Sequence, residues 1–147
     1  MIRGQFNGTR PLISALVLFP FDKTYVRTNF LVDTGADISL ISSVAYERAG
    51  FKYDQFLQYP PATSSGYGGR IQARRVPARL YLFDQDEDIV VPISLELEVI
   101  KPMAPKPGED QLPPLPSVLG RDVSDLFKLT IDRSVNVVTL DHCEGKR

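Results

Sequence analysis

The residues of this chain that could do chemistry are carboxylates. Residues 30 to 39 read FLVDTGADIS, so Asp33 stands directly behind the apolar run Phe30, Leu31 and Val32, where a buried strand gives way to a turn at Gly35. An ionised carboxylate carried to the edge of a core is costly unless its neighbours compensate it, so its position asks for a structural or a chemical reason. Other reactive groups are scarce. His142 and Cys143 are the sole residues of their types and are adjacent. Adjacent side chains in extended chain point to opposite faces and make no nucleophilic pair, and a zinc site needs about four ligands. Hydrolysis by this chain would therefore rest on carboxylates and call for no metal and no cofactor. Cleaving a peptide bond that way takes one group as general base on water and another as general acid toward the carbonyl or amide. Only one Asp-Thr-Gly is present, so the simplest source of an equivalent second Asp33 is a second copy of the chain across a two-fold axis. Two such carboxylates cannot both ionise cheaply, which places the expected activity below neutral pH.

The elements that must position Asp33 read mostly as strands: 12–19, 24–32, 38–41, 76–83, 89–100, 129–132 and 136–140. They are short, rich in Val, Ile, Leu, Phe and Tyr, and separated by Pro, Gly and Asp clusters, the pattern of an all-β barrel or sandwich. Two short helices are expected. One runs from Ser43 to Ala49, capped by Ser42 or Ser43 and closed by Gly50; the other covers Asp122 to Lys128. Residues 63 to 76, TSSGYGGRIQARRV, place three glycines around Tyr67 and read as a hairpin with its tip near Gly66 to Gly69, either a movable lid or a plain flexible turn. Residues 101 to 117 hold six of the twelve prolines and read as a stiff surface loop, with PPLP as a less favoured polyproline ligand.

Three features combine: LVDTGAD at 31 to 37, GYGGRIQAR at 66 to 74, and VLGRD from 118 followed by a short helix and LTID. In this order and spacing they resemble the retropepsin-like, or retroviral-type, aspartic peptidase family, over about residues 10 to 140. The resemblance implies an all-β, closed barrel-like fold carrying one retropepsin-like domain over 1–147, with a flap at about 60–80. It implies that Asp33 is catalytic, that Thr34 locks two active-site loops together, and that Gly35 and Ala36 form the turn beneath substrate. By the same matching Gly66, Tyr67, Gly68 and Gly69 make the flap tip over substrate. Val118, Leu119 and Gly120 support the catalytic loop, Asp37 and Arg121 form an ion pair that holds it, and Arg10 is a candidate contact across the subunit boundary. The chain departs from the shortest such enzymes in a longer first hairpin, the proline-rich 101–117 insertion, and a C-terminal hairpin at 129–140 where terminal strands build the dimer sheet.

Seventeen basic and eighteen acidic residues in 147 give a net charge of -1, which argues against nucleic acid or an anionic membrane as the main partner. The start of the sequence lacks an apolar signal core and a single cysteine forms no internal disulfide, so an intracellular protein is expected. The expected partners are a second copy of the chain and a peptide or protein substrate. The rival is a non-catalytic module that keeps the fold and holds a partner chain in its groove. Asp84, Asp86 and Asp88 alternate like the start of a calcium loop, but Ile89 and Leu95 occupy the glycine and last-ligand positions, so a polar hairpin turn is the expectation. Arg70, Arg74, Arg75 and Arg79 read as a solvated face, with recognition of acidic substrate residues as the alternative.

Overall fold

The computed structural model describes residues 1–66, 69–86, 90–103, 108 and 115–142. In chain order the elements are β1 (Ile2–Arg3), β2 (Gln5–Asn7), β3 (Arg10–Leu18), β4 (Tyr25–Val32), β5 (Leu40–Ile41), α1 (Ser43–Arg48), a 3-10 turn (Tyr53–Phe56), β6 (Pro61–Gly66), β7 (Gly69–Phe83), β8 (Val90–Ile100), β9 (Ser117–Leu119), α2 (Arg121–Ser124), β10 (Phe127–Asp132) and β11 (Val137–His142). None of the described helices is long and apolar enough to cross a membrane.

Alternation decides which face each strand buries. Along β3, Ile13, Ala15 and Val17 are fully buried while Leu12, Ser14, Leu16 and Leu18 are only partly so, the two-residue period of a strand with one face on the core. β3 pairs antiparallel with β4, β4 parallel with β9, β9 antiparallel with β5, β5 parallel with β8, and β8 antiparallel with β7. β7 then returns to pair antiparallel with β3 from Ser14↔Phe83 to Leu18↔Arg79, which closes six strands into a barrel. Closure removes the free edges that an open sheet would present. The main core fills it with Ile13, Val26, Phe30, Val32, Leu80, Leu97 and Leu119 among others. Within the same core, α1 and the 3-10 turn bring Tyr46 and Phe56 against Phe19 and Phe51, with Phe19 and Phe56 edge to face at 4.8 Å.

Several elements differ from their sequence-based boundaries for identifiable reasons. The second helix is a single turn, Arg121–Ser124, because Phe127, buried, and Leu129, half-buried, already follow the strand period. The strand expected at 76–83 begins at Gly69 and serves two neighbours in turn, β6 along 69–74 and β3 along 79–83. Pro77 sits between those stretches, where no strand pairs with that edge and a missing N–H is tolerated. The C-terminal hairpin is longer than expected, and β11 also pairs with β1, giving a three-stranded sheet β1-β11-β10 made within one chain. The acidic turn after β7 is not merely polar: Asp84 is 1% exposed and accepts hydrogen bonds from the backbone N–H (2.7 Å) and guanidinium (3.2 and 3.0 Å) of Arg3. That latch fastens the N-terminal strand to the barrel. Of the arginine run, Arg74 donates to the carbonyls of Leu57 and Tyr59, and Arg75 pairs with the buried Glu98 at 3.6 Å while its own side chain stays exposed.

Candidate active site

Asp33 is delivered by β4 and fixed by the strand beside it. Phe30, Leu31 and Val32 run parallel to Ser117, Val118 and Leu119, and the Asp33 N–H extends that ladder by one bond to the Leu119 carbonyl (3.1 Å). The chain then turns, with Ala36 N–H donating to the Asp33 carbonyl (3.2 Å) and Gly35 N–H donating to the Asp33 Oδ1 (2.9 Å). The carboxylate is thereby oriented by its own loop. Gly35 does not adopt a left-handed conformation; what the position demands is room, since a Cβ there would lie 3.2 Å from the Asp33 Oδ1. Asp33 is half-buried rather than buried, and Thr34, Gly35 and Asp37 are exposed in the single chain.

The segment from Leu119 to Asp122 grips the other side of the loop. Arg121 N–H donates to the Ala36 carbonyl (2.8 Å), Asp122 N–H to the Asp37 carbonyl (3.2 Å), and the Arg121 guanidinium pairs with the Asp37 carboxylate. Both members of that ion pair are exposed, so its contribution is orientation more than stability. Gly120 is required by proximity: a Cβ would meet the carbonyl carbon and oxygen of Ile38 and the carbonyl oxygen of Ala36 at 2.8 to 2.9 Å. The two backbones touch where a side chain would stand.

Two residues that the sequence reading passed over complete the grip. Ser39 is 0% exposed; its N–H donates to both Asp122 oxygens (3.1 and 3.0 Å), its hydroxyl donates to Asp122 Oδ1 (2.7 Å), and its Oγ accepts from Gly120 N–H (2.9 Å). Its carbonyl accepts from Glu98 N–H (3.1 Å), which ties the loop to β8. The signal was available. A serine inside the apolar ADISLIS stretch must find partners if it is buried, and the acid next to Arg121 in VLGRD is a candidate.

β6 and β7 form the antiparallel hairpin expected at 63 to 76. Its rungs run from Pro61↔Arg74 to Gly66↔Gly69, so Gly66 and Gly69 close the ladder. Tyr67 and Gly68 lie outside the described residues, as does most of the proline-rich 101–117 segment. At the hairpin base a second, smaller apolar cluster forms from Ile71, Ala73 and Ile100, with Leu40, Ala62 and Leu115 partly buried against it. Neighbouring residues Ile41 and Val99 belong to the main core, so the small cluster lies on the opposite face of β5 and β8. Arg10 is exposed at the start of β3; the β3–β4 ladder ends at Leu12↔Leu31, which leaves Arg10 and Asp33 each two residues beyond its last rung.

No protein-family profile matches the sequence, and no curated protein does. Among solved structures the chain is similar to the EIAV protease complexed with the inhibitor HBY-793, with a TM-score of 0.46 and 21% identity over 79% of this chain and 86% of that one. It is also similar to the retroviral protease-like domain of Ddi1 from Leishmania major, with a TM-score of 0.48 and 17% identity over 93% of this chain and 92% of that one. By its closed barrel, its glycine-bounded hairpin and the parallel β4–β9 pair that carries Asp33, the chain has an all-β, retropepsin-like fold.

Proposed function

We propose that the chain is an aspartic endopeptidase whose working unit is a homodimer, with one Asp33 from each copy. The observation that carries this reading is the Asp33 loop. Its backbone is held by Leu119, Arg121 and Asp122 while the carboxylate keeps access to solvent. A structural acid at this place would be expected to pair with a cation, as Asp84 does with Arg3. Among the described residues Asp33 instead accepts from one backbone N–H of its own turn, which aims the group and leaves its remaining acceptor capacity for water, a proton or a second carboxylate.

In the reaction one Asp33 takes a proton from water as the resulting hydroxide attacks the peptide carbonyl carbon, and the protonated partner carboxyl gives its proton to the carbonyl oxygen. The gem-diol intermediate collapses when the carboxyl that took the water proton passes it to the nitrogen, the C–N bond breaks, and a gem-diol hydroxyl returns its proton to the other carboxylate, so that the pair again holds one shared proton. In this reading Thr34, exposed in the single chain, contacts the second loop, and the β6–β7 hairpin acts as the flap. Leu40, Ala62 and Leu115 around the small cluster offer apolar subsites.

The test is cleavage of a mixed unfolded-protein substrate between about pH 3.5 and 7 by the wild type and Asp33→Asn, read by mass spectrometry. Acid-peaked cleavage that disappears in the variant supports the dyad. A folded wild type that cuts nothing, or that sediments as a monomer at high concentration with and without a peptidomimetic, would remove the second carboxylate and leave a peptide-holding module.

A further inference from the structure

The chemistry open to an asparagine depends on the residue that follows it and on what holds its amide, and the three asparagines of this chain differ in both. Asn29 stands in β4 before the buried Phe30, and its Oδ1 accepts from the Ser14 hydroxyl at 2.7 Å. Asn136 precedes the β-branched Val137, and its Oδ1 accepts from the Arg133 guanidinium. Asn7 precedes Gly8 and is exposed, as are Gly8, Thr9 and Arg10. Among the described residues no hydrogen bond engages the Asn7 side chain or the Gly8 N–H.

The β2–β3 hairpin gives this amide a reacting neighbour. Asn7 and Arg10 form the last rung of the ladder, so Gly8 and Thr9 make a two-residue turn. Gly8 has φ +61 and Thr9 does not share the positive φ, the pattern of a type II′ turn. A Cβ at Gly8 would meet nothing within 4 Å, so the Gly8 nitrogen is reached through open space. β2 is three residues long and, among the described residues, pairs with β3 alone. Its last rung can open at little cost, and the freedom of Gly8 then lets the Asn7 Cγ swing onto the Gly8 nitrogen.

We infer that Asn7 is a self-modification site, converted in water to aspartate and isoaspartate through a cyclic imide with Gly8. Hydroxide takes the Gly8 N–H proton, the nitrogen attacks the Asn7 Cγ to form a new C–N bond, and the Cγ–Nδ2 bond breaks as Nδ2 takes a proton from water and leaves as ammonia. Water then opens the ring at either carbonyl and the ring nitrogen regains a proton; opening at Cγ gives aspartate, and opening at the main-chain carbonyl gives isoaspartate. Either product adds one negative charge to a chain whose net charge is -1, across the rung from Arg10 with Cβ atoms about 5 Å apart. Arg10 lies at the end of the β3–β4 pair from which Asp33 emerges. The inference stands apart from the peptidase reading, since no step of it uses Asp33.

The test holds the whole chain at mildly alkaline pH in water labelled with heavy oxygen and reads its peptides by mass spectrometry, with an isoaspartate-specific methyltransferase separating the two products. The expected result is loss of the Asn7 amide with uptake of label while Asn29 and Asn136 keep theirs, at a rate that rises with pH. Gly8→Ala should react about tenfold more slowly, because a side chain there restricts the approach. Asn7→Gln, whose ring would be larger, should show no labelled acid at residue 7, and circular dichroism confirms the fold of each variant. Asp33→Asn should react as fast as the wild type whether or not the wild type proves to be a peptidase. Loss at Asn7 no faster than at Asn29, or Gly8→Ala reacting as fast as the wild type, would overturn the site. A slower reaction in Asp33→Asn would overturn its independence of the candidate active site.

Discussion

Ser39→Ala is the sharpest probe of how the Asp33 loop is held. The substitution removes a hydroxyl that donates to Asp122 Oδ1 at 2.7 Å and accepts from the Gly120 N–H at 2.9 Å. The first bond ends on a carboxylate, and such bonds contribute about 1.5 to 3 kcal/mol. The second leaves a buried N–H with no acceptor, which costs about 1 to 3 kcal/mol, and the missing oxygen opens little volume for repacking. The sum is about 3 kcal/mol, or a fall in Tm of about 10 °C for a chain of this size. Urea unfolding gives the stability change, and the cycle with Asp122→Ala separates the pair: a coupling of about 1.5 kcal/mol is expected because both side chains belong to one network. A loss below about 0.5 kcal/mol, or strict additivity of the two substitutions, would refute the claim that Ser39 and Asp122 hold the loop as a unit.

Gly120→Ala should cost about 3 kcal/mol, read by the same urea titration, because its Cβ would sit 2.8 to 2.9 Å from three backbone atoms that cannot rotate away. Gly35→Ala should spare stability, within about 1 kcal/mol, yet lower kcat about a hundredfold by pressing on the Asp33 Oδ1 at 3.2 Å; near-normal turnover would show that the carboxylate position is less demanding than the geometry implies. The hydrogen bond from Arg3 holds the Asp84 carboxyl below its ordinary value of 3.8. A depressed carboxyl stabilises the fold above its unfolded value and loses that contribution as pH falls through the folded one, so the stability gap between wild type and Arg3→Ala should be full at pH 5 and shrink below about pH 3.8. A gap that is constant from pH 5 to pH 2.5 in urea titrations would dissociate the latch from the charge.

The order of the strands was readable wherever one periodicity ruled. From Leu12 to Leu18 and from Tyr25 to Val32 alternation and composition agreed, and the barrel is built on that pair. Reading failed where one segment answers to two partners. β7 changes neighbours between Arg74 and Arg79, and its buried residues pass from Ile71 and Ala73 to Val76, Ala78 and Leu80, so no single two-residue register covers it. β1, β2 and β9 are two or three residues long and carry too little pattern to stand out; only pairing in three dimensions defines them. At the site, Asp33, Gly35, Gly120, Asp37 and Arg121 stood in recognisable motifs, and Asp37 does meet Arg121. Ser39 and Asp122 went unread although a serine in an apolar stretch signals a partner, because the contact spans 83 residues and each motif shows only one of its members.

The distribution of bonds around Asp33 separates what the chain does for its own fold from what it leaves undone. Among the described residues the loop backbone is fixed by Leu119 on one side and by Arg121 and Asp122 on the other, with Ser39 and Gly120 locking the two segments together. Removing those groups should unfold or loosen the single chain. By contrast, among the described residues the Asp33 carboxylate has one donor, the Gly35 N–H, and Thr34 beside it is exposed. A loop whose scaffold is complete and whose acid is not compensated is preorganised, so bringing a second copy to it would require little reordering and the binding energy need not be spent on folding. Dimer formation and folding are then separate equilibria in the proposed enzyme. In the proposed enzyme, with β1, β10 and β11 paired to one another, contacts with a second copy would fall to the loop around Thr34 and the outer edges of β1 and β10.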